Sequence, residues 1–166
     1  MLALTEQEIR GSFVNASKGE VRRMPVPSDL DDRRWGELDF LGWFDQRAPL
    51  QAFLVVPTDD RGPLGLRLRR NPPGVGPRRA RMCSLCRTTH PGQGVSLMVA
   101  PRPGESGRRG NTVGQHICAS FQCSGYARGL LPLPAMSAVH ETLSVDARVE
   151  RLQRNLRAFV DRVLTD

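Results

Sequence analysis

Apolar and polar positions change period several times along the chain, and each change marks an element. Thr5-Glu-Gln-Glu8 has the form of a capping box, flanked by Leu4 and Ile9 as a hydrophobic staple. With Ile9 and Phe13 on one face, it predicts a helix over about residues 6–15, ended by Lys18-Gly19. Residues 28–48 hold both tryptophans. There Ser28-Asp-Leu-Asp predicts a capped helical turn and Leu41-Gly-Trp-Phe-Asp45 a compact aromatic turn. Gln51–Val56 is β-prone, and Leu64-Gly-Leu-Arg-Leu-Arg69 alternates apolar with other residues. Across the turn Thr58-Asp-Asp-Arg-Gly62 they predict a β-hairpin. Asn71 to Arg79 is too rich in Pro and Gly for regular structure and reads as a loop. Val95–Val99 and Thr112–Ile117 predict a second hairpin, joined by the Gly- and Arg-rich stretch from Pro101 to Gly110. Last comes one unbroken stripe, Val145, Val149, Leu152, Leu156, Phe159 and Val163, which predicts an amphipathic helix over about 144–164 capped by Ser144. Core docking of that stripe is favoured over dimerisation, so a monomer is expected.

These elements make an α+β protein, a small mixed domain with β-hairpins and a C-terminal amphipathic helix. At 166 residues the chain reads as a single domain, 1–166, with an α/β N-terminal part over 1–70. A hydrophobic fraction of 39% is enough for a core. Six of the nine aromatics precede residue 54, which assigns much of that core to the first third. No apolar run reaches the ~18 residues of a membrane span, and Met1-Leu-Ala-Leu-Thr-Glu turns polar too early for a signal peptide. A cytoplasmic protein without a membrane partner is expected.

The formal net charge is +7, and every cation except Lys18 is an arginine. The charge is localised. Residues 1–60 hold 7 cations and 11 anions, 61–110 hold 11 and 1, and 111–166 hold 6 and 5. A solvated face is the ordinary reading of a charge run. One anion in fifty residues favours an acidic partner instead, since the guanidinium fork suits carboxylate and phosphate.

The four cysteines form two pairs, Cys83-Ser-Leu-Cys86 and Cys118-Ala-Ser-Phe-Gln-Cys123. Two thiolates presented by a tight turn, completed by a second pair, suit the tetrahedral S4 shell of structural Zn2+. Disulfides do not fit a chain without a secretory signal. A thioredoxin-like pair needs a βαβ setting that the predicted hairpin does not supply. A catalytic cysteine with His90 or His116 lacks a third orienting group. His116, two residues before Cys118, could replace one thiolate, but four thiolates are the preferred set, with no open position for metal catalysis. The order knuckle, hairpin, second ligand pair is that of a treble-clef zinc finger, here over 81–128. The C-x-x-x-x-C spacing expects Cys118 to end a strand and Cys123 to lie one turn later.

Four stretches carry a family resemblance: Ile9 to Glu20, Leu38-Asp-Phe-Leu-Gly-Trp43, Met82 to Met98, and Gly107 to Arg128 with Gly-Asn-Thr-Val-Gly and the second cysteine pair. Together they resemble the C-terminal treble-clef zinc-finger domain of the elongation factor G-binding protein family, which includes the staphylococcal fusidic acid resistance proteins. The resemblance implies a non-enzymatic protein that binds elongation factor G and releases it from the ribosome, with zinc on Cys83, Cys86, Cys118 and Cys123. It also implies partner contacts from the finger surface, for which the candidates are Leu85 at the knuckle tip, Arg108 and Arg109, His116, Tyr126 and Arg128. Leu85 and Tyr126 have packing as their plainer reading, and the arginines solvation. The resistance proteins carry a helical bundle ahead of this domain, for which no room is expected before Thr5, so the resemblance reaches factor binding more directly than antibiotic resistance. The alternative is a zinc finger that binds ribosomal RNA or other nucleic acid through the arginine-rich segment. Residues 61–110 contain no aromatic to stack on unpaired bases, which weighs against it.

Overall fold

Two capping boxes open the chain. In the computed structural model, which describes residues 1–58, 62–72 and 79–165, the first box starts helix α1, Glu6–Gly11. The Glu8 amide donates to the Thr5 hydroxyl at 3.3 Å and the Thr5 amide to the Glu8 carboxylate at 2.7 Å. Helix α1 is shorter than expected. Phe13 leaves it to bridge Gly65, where a side chain on Gly65 would come within 2.5 Å of the Ser12 hydroxyl. Lys18-Gly19 does not end a helix but begins one. Ser17 and Glu20 form a second capping box on α2, Lys18–Arg23, and the carboxylate of Glu20 also receives Arg67 at 2.6 Å. A single 3-10 turn, Trp35–Glu37, follows.

The aromatic turn expected at Leu41–Asp45 is a strand, β1 (Leu41–Phe44). It continues antiparallel into β2 (Gln51–Val56) and β3 (Leu64–Arg70), the expected hairpin, in register Leu54↔Leu66. Of its turn, residues 59–61 lie outside the described residues, as do 73–78 of the expected Asn71–Arg79 loop. A two-stranded ribbon, β4 (Arg81–Met82) and β5 (Thr89–His90), frames the first cysteine pair. The second hairpin is present as β6 (Val95–Pro101) and β7 (Thr112–Cys118), in register Leu97↔His116. Its connection, expected as a Gly- and Arg-rich link, holds a helix, α3 (Gly104–Arg108), closed by the Arg109 amide on Glu105 O and the Gly110 amide on Gly107 O with no apolar period to signal it. Helices α4 (Cys123–Ala127), α5 (Ala135–Ala138) and α6 (Val145–Leu164) complete the chain.

The main sheet has the order β1-β2-β3-β6-β7. Alternation along the strands gives it two apolar faces. Leu41, Trp43, Phe53 and Val55 point to one side, against Ile9, Met24 and Trp35 of the N-terminal segment. Ala52, Leu54, Leu66, Leu68, Met98 and Ile117 belong to the larger cluster on the other side, together with Leu152, Leu156, Phe159 and Val163 of α6. The α6 stripe is thus core, as the periodicity favoured, although Val145 at its start is exposed. Fold class and treble-clef order are as expected: α+β, with antiparallel strands and the cysteine-bearing ribbon, hairpin and helix in sequence.

Candidate metal centre

Three elements deliver the four cysteines. Cys83 and Cys86 lie on the knuckle between β4 and β5, which closes because the Cys83 amide donates to Thr88 O at 2.8 Å and the Arg87 amide to Cys83 O at 2.9 Å. Arg87 completes the knuckle with φ 67°. The knuckle is tied to the second hairpin by Ser84, whose amide donates to His116 O at 2.8 Å. Cys118 ends β7. A turn through Phe121, at φ 57°, then brings Cys123 to the first residue of α4.

All four thiols are buried, and their sulfurs lie within 4.8 Å of one another. Cys83 Sγ is 3.7 Å from Cys123 Sγ, and Cys86 Sγ is 3.5 Å from Cys118 Sγ. A Zn–S bond of about 2.3 Å sets the edge of a tetrahedron at about 3.8 Å, which these two spacings match. Burial pushes the Cys123 thiol up, while hydrogen bonds from Cys118 and Cys123 pull Cys83 and Cys86 down. Four thiols this close cannot all ionise without a cation among them. Zinc resolves that conflict by deprotonating its ligands outright. The cysteine set fits structural Zn2+.

The C-terminal helix braces the centre. Asn155 Nδ2 donates to Leu85 O at 2.8 Å, and Arg151 Nη2 to Cys86 O at 3.1 Å and to Glu141 at 2.6 Å. Across the knuckle, the Ser137 hydroxyl of α5 accepts from the Thr89 amide at 2.5 Å and donates to Thr89 O at 3.1 Å, as a neighbouring strand would. No local pattern announces the supports from Asn155, Arg151 and Ser137 to the knuckle, because each is a polar side chain meeting a backbone group far away in sequence.

The model of the FBP C-terminal treble-clef zinc-finger family matches residues 8–163. The chain belongs to that family. Among solved structures, the fusidic acid resistance protein FusC is similar with a TM-score of 0.54 at 17% identity, over 86% of this chain and 53% of that one. The chain therefore spans about half the length of that protein, and the likeness is one of fold. No curated protein sequence matches the chain.

Within the family fold the remaining candidate residues separate by exposure. Arg108 and Arg109 are exposed on α3, with Arg109 in a loose pair with Glu105 at 3.7 Å. His116, weighed as a substitute ligand, has its Nε2 3.0 Å from Arg81 Nη1 and lies outside the thiol cluster. The imidazole that meets a thiol is His90, with Nε2 3.4 Å from Cys118 Sγ. Tyr126 is half-buried with its ring edge-on to His90. Two candidates have little surface to offer. Leu85 has 0% exposure and packs in the main core, because the knuckle turns its apolar tip inward under α6. Arg128 is committed to an ion pair with Asp39, whose side chain is 1% exposed.

Proposed function

We propose that this protein is a non-enzymatic binding protein for elongation factor G and that binding promotes release of the factor from the ribosome. The observation that carries this reading is the closed cluster of four buried thiols at the heart of a treble clef that the family model covers. Such a centre leaves no open coordination position for chemistry; its work is to fix the surface around it. The contact surface follows as Arg108 and Arg109 at the tip of the β6–β7 hairpin, His116 on β7 and the exposed part of Tyr126. Leu85 and Arg128 act from beneath it, as packing and as an ion pair. The zinc ligands are Cys83, Cys86, Cys118 and Cys123. The whole chain acts as one unit, a reading supported by the sheet that joins the N-terminal strands to the finger. Use of the α6 stripe as core supports a monomer, and a translation partner places the protein in the cytoplasm. Among the described residues no helix is long and apolar enough to cross a membrane.

The second reading, ribosomal RNA or other nucleic acid as the partner, rests on Arg69, Arg79, Arg81, Arg87, Arg108 and Arg109, all exposed, in a segment with one acid. Calorimetry of the zinc-loaded chain against elongation factor G, with an rRNA fragment in parallel, separates the two. Saturable binding to the factor is expected. No heat with the factor at low salt, together with RNA affinity that falls steeply as salt rises, would overturn the first reading for the second.

A further inference from the structure

One imidazole reaches a sulfur of the metal centre without being one of its four candidate ligands. His90 closes β5 and is 7% exposed, and its Nε2 is the imidazole atom that reaches Cys118 Sγ, at 3.4 Å. Two features fix the ring there. Tyr126 meets it edge-on, with centroids 5.0 Å apart at 69°. On the other side, Gly94 leaves the space that the ring occupies: a Cβ on Gly94 would run into His90 Cβ and stand 2.9 Å from its Cγ. Gly94 is itself bonded to the chain just past the ligand, since its carbonyl accepts from the Ala119 amide at 2.8 Å. Imidazole, glycine and the end of the ligand strand are therefore held as one unit.

A tetrathiolate zinc site carries a net charge of about −2, and its sulfurs keep lone pairs that accept hydrogen bonds. Buried away from water, those lone pairs depend on donors from the protein. We infer that His90 is a positioning residue of the metal centre: bearing its proton on Nε2, it donates to the Cys118 thiolate and holds that sulfur on the zinc. Cys118 ends a strand and is followed by a turn through Phe121 in the left-handed region, so such a hold fixes the point where the chain leaves the sheet.

The test uses the zinc-loaded full chain. In a long-range 1H–15N correlation spectrum, His90 is expected as the Nε2–H tautomer, with Nδ1 bare. Zinc transfer to a chromophoric chelator is then compared for wild type, His90→Phe and His90→Gln. Loss of the donor is expected to weaken zinc retention 10–100-fold, and glutamine, which keeps an N–H, to recover part of the loss. In the Co2+-substituted protein the thiolate charge-transfer bands are expected to survive His90→Phe, because the four ligands are unchanged. The inference is overturned by a bare Nε2, by zinc retention in folded His90→Phe equal to wild type, or by a Co2+ spectrum that loses a ligand with the imidazole. If His90→Phe does not fold, the wild-type tautomer decides.

Discussion

Asp39 shows how much one residue can hold. Its buried carboxylate receives the guanidinium of Arg128 just past α4, with Nη2 to Oδ1 at 3.1 Å, and the amide of Gln153 on α6 at 2.9 Å. Its own backbone N–H donates to the Ser124 hydroxyl at 2.9 Å. Asp39→Ala would leave Arg128, only 20% exposed, without its counter-charge, at an expected cost of about 3–5 kcal/mol. Urea unfolding measures this, and a loss under about 1 kcal/mol would show that the pair behaves as a surface one. The resemblance makes Arg128 a candidate partner contact, and a lone arginine beyond the last ligand gives no sign of a carboxylate 89 positions earlier. Leu85 takes the packing role, its plainer reading, for a related reason. A knuckle tip is exposed in isolation, and only the long helix folding back over it makes it core. The cysteines were legible because metal geometry fixes both their spacing and their chemistry.

At the scale of elements, local signals succeeded where they were complete. The six-position stripe of α6 and its Ser144 cap, whose hydroxyl accepts from the Ala147 amide at 3.3 Å, matched the observed helix. Phe159→Ala, at a fully buried position in that stripe, is expected to cost about 3–5 kcal/mol by thermal unfolding. Helix α2 runs against the stop that Lys18-Gly19 predicts, because Ser17-Lys-Gly-Glu20 has the same capping pattern as Thr5–Glu8 and the cap outweighs one glycine. Ser17→Ala is expected to cost about 1 kcal/mol. Glu20 is held below its ordinary 4.5 mainly by the Ser17 amide and then by the Ser17 hydroxyl, with Arg67 adding charge. A carboxyl lowered on folding stabilises the protein above 4.5 and loses that contribution as pH falls through its folded value. Glu20→Gln is therefore expected to be less stable than wild type at pH 7 and to converge with it in acid. Parallel pH titrations of stability check this; a gap that widens in acid contradicts it. Strand β1 was hidden because Leu41-Gly-Trp-Phe44 is too short for a period and is defined by its pairing with β2.

Across the whole molecule, a sheet carries apolar faces on both sides, and the zinc finger grows out of its β6–β7 edge. The joint between the N-terminal strands and the finger is the pairing Arg69↔Val99 and Arg70↔Met98, a contact between distant segments that no local pattern announces. Among the described residues of the basic segment 61–110, Arg69 and Arg70 lie at this joint, Arg87 on the knuckle, and Arg108 and Arg109 at the hairpin tip. The segment's arginines serve two ends. Arg67 and Arg70 bind Glu20 and Ser96 within the fold, and Arg108 and Arg109 remain exposed. Reversing the charge at both exposed positions is expected to weaken factor binding in the calorimetric assay while leaving thermal stability within about 0.5 kcal/mol; unchanged affinity would remove them from the contact surface. All of this depends on the zinc centre that pins the finger. X-ray absorption at the zinc edge of the purified protein, with metal content and unfolding followed before and after chelation, tests that dependence most directly. About one zinc per chain with four sulfur neighbours at about 2.3 Å, and loss of cooperative folding once the metal is stripped, is the expected result. A metal-free protein that unfolds with undiminished stability would contradict it.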